Sequence, residues 1–205
     1  MIHIVTSENE YRYRVEMEQA FRLRHKVFVE EVGWTELAKP DGREIDQFDT
    51  EHAVHMLYIE KGEVLGYQRM LPSTRPHILS DVMPQLCQVD PPVGSHIWEC
   101  SRHCVAPDHR KKGRFASPIA NVLLSGMVEW GMDNGVSIAI IEIHPLLLPR
   151  LVQFHFRLWP LGVLQKVGLG QHPLIAFTVS FDQRTLNRLR ECRGGSPPPR
   201  PHRPA

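Results

Sequence analysis

Three arginines and three carboxylates in this chain suggest chemistry, because several of them fall where a charge is hard to accommodate. Tyr13, Met17, Ala20, Phe21 and Phe28 recur at three- or four-residue spacing and mark the buried stripe of an amphipathic helix, and Arg24 falls on that stripe. Alternation over residues 64–71 puts Leu65, Tyr67, Arg69 and Leu71 on one face of a strand, so a second guanidinium lies among apolar neighbours. In Trp98-Glu99-Cys100-Ser101-Arg102 a regular strand sends Glu99 and Arg102 to opposite faces. A β-bulge between them brings both to one side, and bulges often re-aim side chains beside active sites. Asp46 and Asp49 occupy a polar loop. Taken singly, each has a plain structural reading: a salt bridge fastening a helix to a loop, or a solvated turn residue. Taken together, Arg24, Arg69 and Arg102 with Asp46, Asp49 and Glu99 have the composition of a site for a zwitterionic amino acid, since buried charges need partners.

The elements that must position these residues follow from periodicity and from breakers. Residues 1–5 read as a short strand, and Ser7 or Asn9 caps a helix running to about Lys26. Segment 27–50 lacks clean periodicity and contains Pro40-Asp41-Gly42, a loop signal. Runs 53–60 and 64–71 flank Lys61-Gly62-Glu63 and predict a hairpin. Segment 72–92 is irregular, with one short helix near 79–83. A strand is expected over 96–105, the longest helix over 112–134 with Gly135 ending it, a buried strand over 136–143, a helix over 146–156 and a last strand over 174–181. Helices following strands around a mixed sheet make an α/β sandwich. The folded domain is expected over 1–183. An Arg/Pro-rich tail follows over 184–205, disordered from about 194, where Gly194-Gly195-Ser196-Pro197-Pro198-Pro199 cannot pack a core.

Bulk properties exclude several classes. Lys+Arg number 24 and Asp+Glu 23 over 205 residues, but six of the arginines fall from Arg184 onward, leaving the body mildly acidic. That argues against bulk binding of nucleic acid. The longest apolar stretch, 136–148, is interrupted by Glu142, His144 and Pro145 and is too short to span a bilayer. No signal peptide is visible, and Cys87, Cys100, Cys104 and Cys192 form no CxxC pair, which fits a reducing cytoplasm and implies neither a disulfide nor a metal.

Arg24, Phe28, Trp34, Asp46, Asp49, Arg69, Glu99 and Arg102 match, in identity, order and close spacing, the signature of the LuxI-type autoinducer synthases, and the chain resembles that family over about 1–182. The strings Phe21-Arg22-Leu23-Arg24-His25-Lys26-Val27-Phe28, Gly66-Tyr67-Gln68-Arg69-Met70-Leu71-Pro72 and Trp98-Glu99-Cys100-Ser101-Arg102 resemble its motifs. Departures are Met83 where an aromatic residue is usual, His103 where Phe often follows the arginine, and two prolines between Glu142 and Arg150. The resemblance implies a GNAT-like three-layer αβα sandwich with a twisted mixed central sheet. Arg110-Lys111-Lys112-Gly113-Arg114-Phe115-Ala116 resembles the GNAT turn that holds the coenzyme A pyrophosphate, with Phe115 where Gly or Ala is usual. Backbone N–H groups at a helix start, flanked by cations, attract phosphate.

The resemblance also implies a reaction. The methionyl amine of S-adenosylmethionine attacks an acyl thioester, and its carboxylate then displaces 5′-methylthioadenosine to close a lactone. Glu99 is the implied general base, with burial to raise its pKa. Arg69 and Arg102 are implied to orient Glu99 and the substrate carboxylate, and Asp46 and Asp49 to bind the ammonium. Phe28 and Trp34 would offer aromatic faces to adenine and sulfonium, and Arg24 would organise segment 27–50. Ser101 shares Glu99's face, placed either to meet the acyl carbonyl or to serve as a small core hydroxyl. The sequence looks closest to the rhizobial, acyl-CoA-using branch of the family. S-adenosylmethionine and acyl-CoA are therefore the expected substrates, isovaleryl-CoA the leading donor and acyl carrier protein the alternative, with no cofactor. Met83, Ile140, Ile141, Leu146 and Leu147 are candidates for a short acyl pocket. A GNAT-type acyltransferase on another amine, or a sensor without catalysis, are the competing readings.

Overall fold

The computed structural model describes residues 1–110, 117–168 and 170–192. β1 (Ile2–Val5), β2 (Val54–Glu60), β3 (Glu63–Pro72) and β4 (Ile97–Val105) form an antiparallel half-sheet. β5 (Ile138–Ile143) joins β4 in parallel. β6 (Arg157–Pro160), β7 (Gln165–Val167) and β8 (His172–Ser180) complete the sheet, with β8 antiparallel to β5 and carrying both β6 and β7. The turn between β2 and β3 places Lys61 and Gly62 at φ of 51° and 83°, the pair of positive values that a two-residue hairpin loop requires.

Each face of the sheet has its own core. On one, α1 (Arg14–Arg24) packs Met17, Ala20 and Leu23 against Leu57, Tyr67 and Cys104. The helix starts later than the sequence predicts because Asn9 does not cap it. Asn9 Oδ1 accepts the N–H of Thr6 while its amide donates to the carbonyl of Ile4. Beyond Arg24 the chain continues as a π-helical segment, His25–Glu31, where a loop is expected. The same face is covered farther along by α2 (Ile78–Asp81), whose Leu79 packs with Ile97 and Ile140.

On the other face lies α3 (Pro118–Asp133), which buries Val122, Leu124, Met127 and Val128 against Met56, Met70 and Cys100. Ser117 caps it and Pro118, with no N–H to leave unpaired, begins it, so it starts six residues later than the periodicity suggests. α4 (Leu148–Gln153) is shorter than the predicted 146–156 helix, because Phe154 and Phe156 turn down into the core ahead of β6. α5 (Gln183–Cys192) lies in the segment expected to be tail. It buries Leu186 and Leu189 in the same core, and its Arg190 donates to the buried Glu129 of α3 at 2.8 Å. Its amphipathic period is only ten residues long and dense in arginine, which hides it from a compositional reading. The layers are therefore α/β/α around a mixed sheet.

Candidate active site

The three arginines converge. α1 brings Arg24 to the sheet, β3 brings Arg69, and β4 brings Arg102, all onto the loop that carries Glu44, Asp46 and Asp49. Arg24 donates from Nη1 and Nη2 to the two oxygens of Asp49 at 2.8 and 3.0 Å, and from Nε to Glu44 at 2.5 Å. Arg102 clasps Glu44 with two bonds of 3.1 Å and reaches Asp46 at 2.9 Å. Arg69 clasps Asp46 at 2.6 and 2.9 Å and reaches Asp49 at 2.7 Å. The result is a closed ring, Arg24–Glu44–Arg102–Asp46–Arg69–Asp49, in which every guanidinium bridges two carboxylates and formal charge cancels. Two-bond guanidinium–carboxylate contacts are the strong form of such pairs.

Burial opposes the charge of Asp49, yet Arg24 and Arg69 together hold its carboxyl far below the ordinary range, and Arg102 and Arg24 pull Glu44 down in the same way. Arg24 and Arg69 are fully buried, while Asp46 and Arg102 keep about a tenth of their side-chain surface accessible. Those two are the ring members that meet the cavities described below. Behind the ring, Tyr67 Oη accepts from Arg24 at 3.2 Å and lies 2.6 Å from His55 Nδ1.

Local irregularities make this convergence possible. Tyr67 pairs with Cys104 and Arg69 with Ser101, so one residue of β3 faces two of β4, a bulge at Arg102-His103. Arg102 takes φ of 56°, a strained value for a non-glycine residue and one that tends to occur at functional sites. The bulge turns Arg102 toward the face of Arg69 and Ser101, where Arg69 Nε donates to Ser101 Oγ at 3.2 Å. It also sends Cys100 and Cys104, four residues apart, into cores on opposite faces. The π-helical turn presents Phe28 to Trp34, which stacks on it at 5.3 Å between ring centres and 19° between planes. The Arg102 guanidinium lies 5.5 Å from Phe28 and 5.6 Å from Trp34, so these rings hold the arginine by cation–π contact.

Glu99 stands apart from the ring. It is fully buried, and its oxygens accept the backbone N–H groups of Ile78 at 3.0 Å and Leu79 at 2.7 Å, where a bond to an arginine is expected from the sequence. Burial pushes its carboxyl up and the two amides, with His77 and Arg69, only partly offset this. The third carboxylate of the ring is Glu44 instead. Sequence reasoning passes over Glu44 because it lies in an aperiodic loop. The available signal is that 41–49 carries four acidic residues facing three misplaced arginines.

The β4–β5 ladder runs from Ile97↔Ile138 to Glu99↔Ile140 and stops. Beyond it the strands line opposite walls of a cavity of about 300 Å³, with Cys100, Ser101, Arg102 and His103 on one side and Ile141, Glu142 and Ile143 on the other. Phe28, Trp34, Met83, Leu124, Met127, Leu147 and Phe156 add an apolar lining. Of the proposed acyl-pocket residues, Met83, Ile141 and Leu147 line this cavity. Ile140 instead belongs to the core beneath α2, and Leu146 is 82% exposed. A second cavity lies beside it, bounded by Trp34, Asp46, Phe48, Ile78, Met83 and Arg102. Arg110 donates to the carbonyl of Val105 and pairs with Glu31 at 2.8 Å, close to the π-helical segment. Lys111, Lys112, Gly113 and Arg114 lie outside the described residues.

Comparison with known proteins agrees with this architecture. The model of the autoinducer synthase family matches residues 8–189. The isovaleryl-homoserine lactone synthase of Bradyrhizobium diazoefficiens is 35% identical over 195 residues, covering 95% of this chain and 86% of that protein. A CoA-dependent acyl-homoserine lactone synthase solved with S-adenosylmethionine and isopentyl-CoA superposes with a TM-score of 0.86 at 34% identity, over 95% of this chain and 89% of the other. A candidate N-acetyltransferase from Lactobacillus plantarum superposes with a TM-score of 0.53 at 19% identity over 88% of this chain and 99% of the other, a likeness of fold alone that makes the sandwich GNAT-like.

Proposed function

The chain belongs to the autoinducer synthase family and is an acyl-homoserine lactone synthase, and within that activity we propose that it joins isovaleryl-CoA to S-adenosylmethionine by means of the ring and Glu99. The observation that carries this reading is the junction of two unlike environments at one place. A charge-balanced ring meets an apolar cleft, with Glu99 buried beside both. S-adenosylmethionine enters over Trp34, Asp46 and Arg102, its ammonium toward Asp46 and its carboxylate toward Arg102. The acyl thioester enters between β4 and β5, with Ser101 near its carbonyl. Glu99 takes the amine proton as nitrogen attacks the thioester carbon. The carboxylate of the acylated product then displaces methylthioadenosine from the γ-carbon.

Arg24, Arg69 and Asp49 act from behind, fixing the loop that carries Asp46. Phe28 serves the same end by stacking under Trp34. Arg110, with Lys111, Lys112, Gly113 and Arg114, is the proposed contact for the coenzyme phosphates. A cleft of about 300 Å³ is at the floor of the range for small-molecule sites, which favours a short acyl group. Among the described residues no helix is long and apolar enough to cross a membrane, and we place the reaction in the cytoplasm, where both substrates are made. The folded unit is taken to include α5, with the remaining tail beyond it.

The test supplies purified protein with S-adenosylmethionine and, in turn, isovaleryl-CoA, hexanoyl-CoA and hexanoyl-acyl carrier protein, following free thiol and methylthioadenosine together. Equal release of both, with the largest kcat/KM for isovaleryl-CoA, is expected. A larger kcat/KM for the carrier-protein donor overturns the donor assignment, and thiol release without methylthioadenosine overturns the coupled lactonisation.

A further inference from the structure

Glu142 is the carboxylate that the reaction described above leaves unused. It stands on β5 two residues beyond Ile140, the ladder partner of Glu99, and strand alternation returns it to the face that Glu99 occupies. Its side chain comes within hydrogen-bonding range of the Glu99 carboxyl. Its Oε1 is closed to solvent and has no hydrogen-bond partner, although it lines the cavity where the thioester is placed. A buried carboxyl that comes up to a second carboxyl, with one of its own oxygens left unpartnered, is the arrangement of two acids sharing one proton. Glu99 already accepts two backbone N–H groups, so the resting negative charge belongs there and the proton on Glu142.

We propose that Glu142 works with Glu99 as a carboxyl pair that takes up a single proton, so that the base of the acylation step is the pair and not Glu99 alone. The inference rests on Glu99 being that base. With both carboxyls ionised, the pair accepts the proton that nitrogen loses as the N–C bond forms. The C–S bond breaks with its electrons on sulfur, and the pair then returns the proton to the thiolate or to solvent. With one proton already bound, the pair cannot accept the second readily, so acylation requires its upper ionisation.

Burial first, and then the charge of Glu99, push the Glu142 carboxyl well above the ordinary range. Among the described residues, Arg69 from β3, Arg102 and Cys100 from β4, His77 ahead of α2 and Cys87 act on the pair. His103 of β4, His144 after β5, Arg150 of α4 and His172 of β8 line the same cavity, and burial holds His103 down at about 4. The Cys100 thiol is itself pushed up to about 12 by burial, so it stays protonated through any assay range.

The experiment is the pH dependence of kcat/KM for amide formation, read as thiol release, in wild type, Glu142→Gln, Glu142→Leu and Glu99→Gln. Removing Glu142 leaves one carboxylate of lower proton affinity. The acidic limb should therefore move to lower pH by about 1 unit or more, with a lower plateau. Lower rates with the limb unmoved in both Glu142 variants would make Glu142 a packing residue and overturn the pair while leaving Glu99 in place. Wild-type turnover by folded Glu99→Gln removes Glu99 and the pair together. A second measurement needs no variant to fold: an infrared titration of the wild-type enzyme should keep a protonated-carboxyl C=O band above pH ~6, beyond the ordinary glutamate range. Its absence overturns the proposal.

Discussion

The loop side of the site and the β4–β5 cleft contain the same residue types in opposite conditions. On the loop side every charge is matched. Three arginines and three carboxylates close on one another, and Asp49 and Glu44 are held ionised far below neutrality. In the cleft, matching is withheld. Glu99 has two amides and no arginine bond, Glu142 has an orphaned oxygen, and burial pushes both upward. A saturated ring resists titration and so serves as a scaffold, whereas an under-partnered pair responds to protons and suits proton transfer. The two conditions lie one strand apart, because β3 and β4 turn Arg69 and Arg102 toward the loop while β5 carries no cation to the cleft.

The sharpest test of this contrast is Glu99→Gln. Amide formation should fall about 10²- to 10⁴-fold, the usual worth of a general base, in steady-state assays at saturating substrates. The fold should survive, since the glutamine oxygen keeps one of the two backbone bonds. A loss of stability equal to that of a ring variant would erase the distinction between the regions.

Asp49→Asn attacks the other side. Removing one member of a buried ion-pair network should cost about 3–5 kcal/mol in urea unfolding at neutral pH. Its pH dependence has a definite sign. The folded pKa of Asp49 is depressed, so its stabilisation is present above the unfolded value of about 3.9 and is lost as pH falls through the folded one. Wild type should therefore lose its advantage over Asp49→Asn progressively below about pH 4. A difference that stays constant down to pH 2 would show that Asp49 acts through packing rather than charge.

The smallest effect belongs to the aromatic bracket that joins the two regions. Trp34→Leu removes one of the rings that hold Arg102, and the KM for S-adenosylmethionine should rise about 2- to 30-fold, the equivalent of a cation–π contact. A kcat change with KM unmoved would place Trp34 on the acyl side instead.

Much of this arrangement was legible from the chain alone. Arg24 and Arg69 announce themselves by breaking an apolar period, and the need to bring Arg102 onto the face of Glu99 predicts a bulge, which falls at Arg102-His103 rather than between Glu99 and Arg102. Those inferences are local, resting on neighbours within a turn or a strand. The π-helical turn after Arg24, β6, β7 and α5 escaped because each is short, or is set by contacts with distant segments.

What the sequence determined by itself was which charges are costly and which elements carry them, since side-chain period and burial are written within a few residues. Only the tertiary structure decided how those charges pair. Glu44 sits in an aperiodic loop, and it takes the place in the ring expected of Glu99 because α1, β3 and β4 converge over that loop. By sequence Glu142 is an interruption in an apolar run. The parallel register of β4 and β5 brings it to Glu99 across 43 positions of chain, and no local rule reports a meeting at that separation.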